Sequence, residues 1–429
     1  MVTSAFITLW GQRVGAVSWN SETRLGAFQY DAEFLASGLD LSPLLMPLDR
    51  GDVIYEFQEN RNLSTFKGLP GLLADILPDK YGNALINTWL LRNGRSTNSL
   101  NPVELLCFIG KRGMGALEFS PEEPKVSNGS TKIEMNELVR ITEQILMGKK
   151  YFETDLSHEE EKALLDILKI GSSAGGARAK ALIAYNEKTG EVRSGQTNAV
   201  NGFDHWMIKF DGVTDTQFGA SHGYGRVEMA YYLMALDARI HMMESRILEE
   251  NGRAHFMTKR FDRVGGKEKI HIQTFCAINH FDFNEVLLYS YEELFETMRM
   301  LNLSYPEAQE MYRRMVFNVL SRNCDDHTKN FSFMMNQNGE WILSPAYDVC
   351  HAYRPDSQWV SQHALSINGK RKNITRDDLL AVGKLMNIKR ANDLIDEVKN
   401  SCAKWKFFAD TVNVEPRLRD AIAETHVLI

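Results

Sequence analysis

Two aspartates, a histidine, a lysine and an asparagine are gathered in the stretch SRNCDDHTKNFSF, residues 321–333. Asp325 and Asn330 are five positions apart, and a third oxygen-bearing side chain, Asp348, follows a predicted β-hairpin. The hairpin is indicated by two apolar strand runs that flank Asn338-Gly339, a dipeptide typical of tight turns. A hairpin can return carboxylate and amide oxygens to one Mg²⁺ ion that holds nucleotide phosphates, while a nearby carboxylate accepts the proton of a hydroxyl. The pattern therefore predicts phosphoryl transfer, with Asp325 as the base and Asn330 and Asp348 around the ion.

The same stretch is also consistent with a simple solvated turn. Asp and Asn are common turn residues because their short side chains hydrogen-bond nearby backbone groups. Taken alone, Asp325, Asp326, His327 and Asn330 fit such a capped surface turn. The hairpin and Asp348 favour phosphoryl transfer, and so do three segments that precede them.

A small-residue loop, GSSAGGARAK, runs from Gly171 to Lys180. Loops of this composition allow backbone N–H groups to approach phosphate oxygens closely. The loop fits neither GxxxxGK[ST] nor GxGxxG, so a P-loop NTPase is poorly supported. An ordinary tight turn is the alternative for this segment.

A strand lysine and a connector follow that loop, in the order that a nucleotide-dependent kinase requires. Lys209 lies in WMIKF between two apolar residues, so a buried lysine that neutralises phosphate charge is predicted, with a solvated edge lysine as the alternative. Further along, MTKRFDR suits a connector whose backbone meets a base edge. Phe261 in this connector is either a neighbour of adenine or an ordinary core residue.

Composition sets broad limits on the class of protein. The chain has 429 residues, 44% hydrophobic and 24% charged, which is typical of a soluble globular protein of two or three domains. Its net charge of −7 provides no overall basic field for nucleic acid. The five cysteines are scattered without a Cys-x-x-Cys pair, so neither a disulfide framework nor a cysteine zinc site is expected. With no signal peptide and no membrane span predicted, a cytoplasmic location is expected.

With the loop, the lysine, the connector and the three oxygen-bearing side chains in this order, the sequence resembles the HipA family. Its members are serine/threonine kinase toxins of bacterial toxin–antitoxin modules. In the N-terminal part, the similarity is carried by ITLWGQRVGAVSW, GLLADILPDKYG and IGKRGMGALEF. In the kinase core, it is carried by SSAGGARAKALI, HWMIKF, TKRFDR, DDHTKNFSF and LSPAYDV.

The resemblance implies an α+β, protein-kinase-like fold of two lobes, with a β-rich N-terminal subdomain and an all-helical C-terminal lobe. The expected domains are the N-terminal subdomain at 1–120, a nucleotide-binding α/β lobe at 132–262 and a helical kinase lobe at 263–429. The first boundary lies in SPEEPKVSNGSTK, whose Pro, Gly, Ser and charged residues have little to bury.

The resemblance also implies an ATP- and Mg²⁺-dependent enzyme, with Asp325 as the catalytic base and Asn330 and Asp348 as metal ligands. The nucleotide contacts that it implies are Ser173, Ala174, Gly175, Gly176, Lys209, Lys259, Phe261, His327 and Lys329. Ser173 would in addition be autophosphorylated, which would place up to about two negative charges where ATP phosphates must lie. Ser172 lies beside it, so the modified position stays open.

Two positions depart from the family pattern. Lys259 stands where an acidic residue is expected, which backbone contacts to adenine would tolerate. Asp326 stands where a glycine is expected. It is either a surface residue or a residue that changes how the substrate approaches.

The resemblance further implies partners. These are a helix-turn-helix antitoxin of the HipB type, an aminoacyl-tRNA synthetase as protein substrate, and DNA reached mainly through the antitoxin, with no membrane. Two other functions stay open: a non-catalytic co-repressor that acts with the antitoxin, and a small-molecule kinase on the same scaffold.

Overall fold

The computed structural model describes residues 2–122, 132–146, 179–194, 201–215, 219–220, 223–265, 268–427 and 429. The chain forms two compact units. The first unit comprises Met1–Leu41, Met46–Gly225 and Arg246–Ile272, and the second comprises Ser42–Leu45, Arg226–Ser245 and Gln273–Ile429. The predicted ranges 1–120, 132–262 and 263–429 divide the chain differently and stay a prediction.

The first unit is rich in strands. Its helices and strands are β1 (Ser4–Leu9), β2 (Gln12–Asn20), β3 (Leu25–Tyr30), α1 (Ala32–Leu35), β4 (Ile54–Tyr55), α2 (Gly71–Ala74), α3 (Lys80–Arg92), α4 (Pro102–Ile109), β5 (Leu117–Ser120), α5 (Met135–Leu146), β6 (Lys180–Tyr185), β7 (Val192–Ser194), β8 (Asp204–Lys209), β9 (Thr214–Asp215), β10 (Gly219–Ala220), β11 (Ser245–Glu250), β12 (Arg253–Lys259), β13 (Arg263–Val264) and β14 (Glu268–Lys269).

Two five-stranded sheets organise this unit. One has the order β4-β3-β2-β1-β5 and the other β11-β12-β8-β6-β7. In β1, alternate side chains are buried and exposed, which is the pattern of a strand with one face on the core. In β6, five consecutive residues are buried, which is the pattern of a strand covered on both faces. The second sheet thereby holds Lys209, at the end of β8, in a buried setting.

The apolar spacing of PGLLADILPDKYGNALINTWLLRNG predicts a helix that Pro78 breaks, and the structure has two helices separated there. α2 ends before the proline, and α3 begins after Asp79, whose carboxylate accepts a hydrogen bond from the backbone N–H of Gly82 at 2.7 Å. The apolar positions of α3, including Leu85 and Trp89, are buried. Gly94 follows the helix at φ +68°, as a residue that ends a helix commonly does.

The second unit is mainly helical. Two of its elements, α6 (Tyr224–Asp237) and β15 (His271–Thr274), begin with two residues that belong to the first unit. The others are α7 (Phe275–Asn279), α8 (Tyr291–Met300), α9 (Tyr305–Leu320), β16 (Ser332–Met335), β17 (Trp341–Leu343), α10 (Arg376–Leu385), α11 (Ala391–Cys402), α12 (Trp405–Thr411) and α13 (Pro416–Ala423). Helix α9 is its central element, since ten consecutive residues from Met311 to Leu320 are buried.

The architecture is the α+β fold expected from the sequence, with antiparallel pairing in both sheets of the first unit. The helical second unit also carries a small sheet of order β15-β16-β17, which contains the predicted hairpin. Residues 171–178 of the Gly-rich loop and most of the predicted linker lie outside the described residues. In the described part of the chain, no helix is long and apolar enough to cross a membrane.

Candidate active site

The loop that carries Asp325 is closed by its own hydrogen bonds. It follows α9 and ends in a 3-10 turn, Thr328–Asn330, directly before β16. The Asn330 side chain donates to the backbone carbonyl of Asp325 at 2.7 Å, and the Asn330 backbone N–H donates to the His327 carbonyl at 2.9 Å. The asparagine five positions after the aspartate therefore fixes the shape of the loop, whatever else it does.

The hairpin returns the chain to this loop as predicted. Strands β16 and β17 pair from Phe333 with Leu343 to Met335 with Trp341. Beyond β17, the Tyr347 hydroxyl donates to the backbone carbonyl of Lys329 at 2.8 Å. The residue after Tyr347 is Asp348, which adopts a left-handed backbone conformation with φ +53°. The segment that carries the second aspartate is thus bonded to the segment that carries the asparagine.

Asn330 and Asp348 line one cleft. Its volume is about 20 Å³, which is room for about one water-sized occupant. Other polar residues on its wall are Arg314, Asn318, Asn323 and Asp326. The donor set of a carboxylate and an amide oxygen suits a hard cation such as Mg²⁺, which keeps waters and phosphate oxygens as its remaining ligands. The described residues contain no group of three or more His, Cys, Asp or Glu placed to hold a metal.

Asp325 lies beside this cleft rather than on its wall. Its side chain is 48% exposed, and its carboxylate oxygen is 3.9 Å from the His327 Nε2. Its link to the cleft is the hydrogen bond from Asn330 to its carbonyl. An exposed carboxylate fixed at its backbone is suited to meet a hydroxyl that arrives from solvent.

His327 and Lys329 share an aromatic neighbour. The His327 ring centroid is 5.3 Å from that of Phe283, and the Lys329 ammonium is 5.0 Å from the centre of the same ring. The lysine contact has the geometry of a cation–π interaction. Both predicted nucleotide contacts in this loop therefore pack against Phe283.

Asp326 is not a surface residue, so that interpretation was wrong. Its side chain is buried and accepts three hydrogen bonds, from the His363 Nδ1 at 2.8 Å, the Ala364 backbone N–H at 2.8 Å and the Tyr291 hydroxyl at 2.9 Å. Tyr291 in turn accepts from the Asn318 side chain at 3.0 Å. Burial alone would lower the pKa of His363, but the Asp326 carboxylate raises that pKa to about 10. The residue after the predicted base is the centre of a buried ion pair.

The two lysines predicted to contact nucleotide in the first unit differ in burial and in their neighbours. Lys209 is buried and faces Lys180 across the β6–β8 pair. Lys259 is partly exposed and forms ion pairs with Asp204 at 3.1 Å and with Glu187 at 3.4 Å. Its side chain is therefore occupied by acidic neighbours.

Phe261 and the loop residues complete the predicted set. Phe261 is half-buried in the turn after β12. Ser173, Ala174, Gly175 and Gly176 lie outside the described residues.

Sequence reasoning missed two buried networks. One is the Asp326–His363 pair. The other is centred on Asp262, which lies in the quoted motif TKRFDR and is fully buried between Arg260 and Arg263. An aspartate bracketed by two arginines in an apolar segment was the available signal for the second network. The lone His363 in QHALS offered no comparable signal, because nothing in its neighbourhood points to its distant partner.

Two family models match the chain. The HipA N-terminal domain matches residues 5–120, and the HipA-like C-terminal domain matches residues 172–406. The second match alone covers more than half of the chain.

Two solved structures are similar to this chain. One belongs to the Shewanella oneidensis MR-1 toxin–antitoxin complex of HipA, HipB and its operator DNA, with 20% sequence identity, a TM-score of 0.67, and coverage of 99% of this chain and 100% of that chain. The other is the Helicobacter pylori proinflammatory kinase CtkA, with 12% identity, a TM-score of 0.32, and coverage of 58% of this chain and 92% of that chain. The first similarity extends over the whole architecture and shows a shared fold.

Proposed function

This chain belongs to the HipA family, and we propose that it is an ATP- and Mg²⁺-dependent serine/threonine protein kinase, the toxin of a toxin–antitoxin module. The observation that carries the proposal is the shared cleft of Asn330 and Asp348, which are separated in sequence by a hairpin and meet beside Asp325. The volume and the oxygen donors of that cleft fit one magnesium ion.

The proposed roles follow from the chemistry of the side chains. Asp325, half exposed, accepts the proton of the substrate hydroxyl. Asn330 and Asp348 would hold the ion, which supplies positive charge against the nucleotide phosphates when bound. Lys209, buried at the end of β8, provides a further positive charge for those phosphates.

Autophosphorylation and the protein substrate rest on family membership. We propose Ser173 as the modified residue and an aminoacyl-tRNA synthetase as the substrate, whose phosphorylation would arrest translation. A phosphate on Ser173 would compete with ATP phosphates through its negative charge. Mass spectrometry of the incubated protein tests the position, and phosphate found on Ser172 would overturn it.

We also propose a helix-turn-helix antitoxin of the HipB type as the partner. Support comes from the similar Shewanella oneidensis structure, whose complex contains HipA, HipB and operator DNA. Co-repression with such a partner needs no phosphate transfer and is compatible with kinase activity. It is therefore a second function for the same chain.

Incubation with γ-labelled ATP and Mg²⁺ tests the kinase proposal. We expect Asp325→Asn to lower label incorporation on the order of 10²-fold or more, since a positioned general base contributes that much. The matched control is Asp393→Asn, the same change in an exposed ion pair with Arg390. Equal labelling by the wild type, Asp325→Asn and Asp393→Asn would contradict the proposal.

A further inference from the structure

Asp262 is the centre of a buried network in the first unit. Its carboxylate accepts hydrogen bonds from the Arg260 Nε at 2.8 Å and Nη2 at 2.6 Å, from the Arg263 Nη1 at 2.6 Å, and from the Gly115 backbone N–H at 2.8 Å. Both arginine side chains are also buried. A carboxylate that accepts four hydrogen bonds, three of them from guanidinium groups, is held in one position.

The two arginines continue the network into the N-terminal part of the chain. Arg263 donates to the carbonyls of Gly113 at 2.9 Å and Gly115 at 3.0 Å. Gly115 has φ +75°, a backbone conformation that favours glycine, and a Cβ atom there would be crowded at 3.2 Å from the backbone nitrogen of Ile272. The motifs RGMG and KRFDR, more than a hundred positions apart, therefore form one bonded structure, which we call the Asp262 clamp.

Lys269 adds a second set of bonds across the same contact. Its ammonium donates to the carbonyl of Lys111 at 2.7 Å and to the Glu118 carboxylate at 2.8 Å. Its own carbonyl accepts from the indole N–H of Trp10 at 2.7 Å. The segment that follows the connector is thus bonded to the turn after β1, to β5 and to the loop before β5.

A separate contact joins the N-terminal part to β6. The Lys180 ammonium lies 3.8 Å from the Asp79 carboxylate, and both side chains are buried. Lys180 ends the Gly-rich loop, and it faces Lys209 across the β6–β8 pair. Asp79 belongs to the motif LPDKYG and also caps α3. A second motif of the N-terminal part therefore meets the strand that leads out of the Gly-rich loop.

We propose that residues 2–122 are a positioning part of the nucleotide-binding unit. The Asp262 clamp fixes the connector backbone at 259–261, and Asp79 fixes the start of β6 through Lys180. For its effect on ATP, this inference rests on the proposed kinase function. The clamp itself stands on the contacts described above.

The geometry of these hydrogen bonds explains why they fix the position of the connector backbone. A guanidinium–carboxylate pair with two parallel hydrogen bonds tolerates little displacement, and in a buried network every lost bond leaves an unpaired polar group. The side chain of Lys259 is occupied by Asp204 and Glu187, so a base edge would meet the connector backbone. Movement of that backbone would weaken nucleotide binding with less effect on the transfer step.

The test compares full-length variants for their KM for ATP, their kcat and their amide hydrogen exchange at 256–263. Asp262→Asn, Arg263→Lys and Asp79→Asn are the variants, and Asp393→Asn is the control with the same change in an exposed pair. Arg263→Lys keeps the charge but cannot span both glycine carbonyls. We expect KM for ATP to rise by about tenfold, because a displaced connector backbone loses about one hydrogen bond to the base. We expect kcat to change by less, and exchange at 256–263 to become faster in the two clamp variants.

Distinct results separate this inference from the kinase proposal. A fall in kcat with unchanged KM, or unchanged exchange at 256–263 in folded Arg263→Lys, would overturn the inference. If Asp262→Asn does not fold, Arg263→Lys and Asp79→Asn still decide between these results. If the wild type neither binds nor uses ATP, the kinase proposal falls, and the exchange measurement alone decides whether the clamp fixes the connector.

Discussion

Asp326 shows how one residue of the loop stabilises the fold beside the predicted base. Its buried carboxylate is paired with His363, and removal of one member of a buried pair costs up to about 3–5 kcal/mol. We therefore expect Asp326→Asn to lower the free energy of unfolding by up to that amount in urea denaturation. The control is Asp393→Asn in an exposed pair, for which we expect a change below about 1 kcal/mol. Equal midpoints for the two variants would contradict the role assigned to the pair.

His363 gives this pair a pH dependence. The Asp326 carboxylate outweighs burial and raises the pKa of His363 to about 10, above the value of about 6.5 expected in the unfolded chain. The charged histidine therefore stabilises the fold fully below about pH 6.5, and this contribution is lost as the pH rises through about 10. Asp326 and Cys324 interact directly with His363, while Tyr291 and Arg371 face the Asp326 carboxylate. We expect the stability difference between the wild type and His363→Gln to shrink from pH 6 to pH 10.5; a constant difference would contradict this.

Asp348 combines a predicted chemical role with an uncommon backbone conformation. At φ +53°, Asp and Asn are tolerated, whereas a β-branched residue is strained by about 1–3 kcal/mol. We expect both Asp348→Asn and Asp348→Val to lose labelling from ATP, but only Asp348→Val to lose stability. Calorimetric unfolding of both variants checks this expectation. Full labelling by a folded Asp348→Asn would contradict the role proposed for its carboxylate.

The sequence indicated Asp325, Asn330 and Asp348 because their spacing and the turn between them are local features. Asp326 was not understood, because its partner His363 is 37 positions away and its burial depends on packing that no local pattern records. Asp262 was missed for the same reason, since the backbone N–H that it bonds lies 147 positions earlier. Buried ion pairs and hydrogen bonds between distant segments cannot be predicted from the local pattern of a single sequence.

At the scale of elements, Glu307 connects helix α9 to the hairpin. One carboxylate oxygen accepts from both the backbone N–H and the hydroxyl of Ser304 at 2.7 Å, which caps the helix. The other oxygen accepts from the backbone N–H of Leu343 in β17 at 2.7 Å. The hairpin is therefore anchored at the start of the helix that leads into the Asp325 loop.

We expect Glu307→Ala to lower the free energy of unfolding by about 1–2 kcal/mol, through loss of the cap and of the strand hydrogen bond. Glu293→Ala is the matched control, since Glu293 makes the same two bonds to Ser290 at the start of α8. Chemical denaturation and labelling from ATP are measured for both. We expect labelling to fall more in Glu307→Ala, because only that change releases the strand that leads to Asp348. Equal loss in both would contradict the anchoring role.

Elements were predictable where local chemistry decides them. The hairpin of β16 and β17 forms as its turn signal predicted, with Gly339 at φ +81°. Helix α3 begins after Pro78, and α9 begins with a capping box at Ser304 and a proline in its first turn. The small sheet that joins β15 to the hairpin was not predicted, because the partner strand of a hairpin edge depends on distant residues.

At the scale of the whole molecule, the bounds of the sequence segments differ from the bounds of the compact units. The first unit is assembled from three stretches of the chain, and the Asp262 clamp joins two of them. A domain boundary predicted from composition marks a segment with few residues that can be buried. A compact unit is defined by contacts in space, and these contacts can join segments on both sides of such a boundary. The N-terminal family segment is therefore a separate sequence module and yet part of one packed unit with the strands of the second segment.

The net charge of −7 predicts that the chain alone binds DNA weakly. Affinity for DNA depends mainly on lysine and arginine neutralising phosphates, and this chain has 49 such residues against 56 acidic ones. We expect no gel shift of operator DNA by the chain alone at about 0.15 M salt. With the proposed antitoxin we expect a shifted band that moves further when the chain is added. Asp325→Asn should behave like the wild type in this assay, since the base has no role in binding. A shift by the chain alone, steeply weakened by salt, would show a local basic surface and contradict the proposal that DNA is reached through the partner.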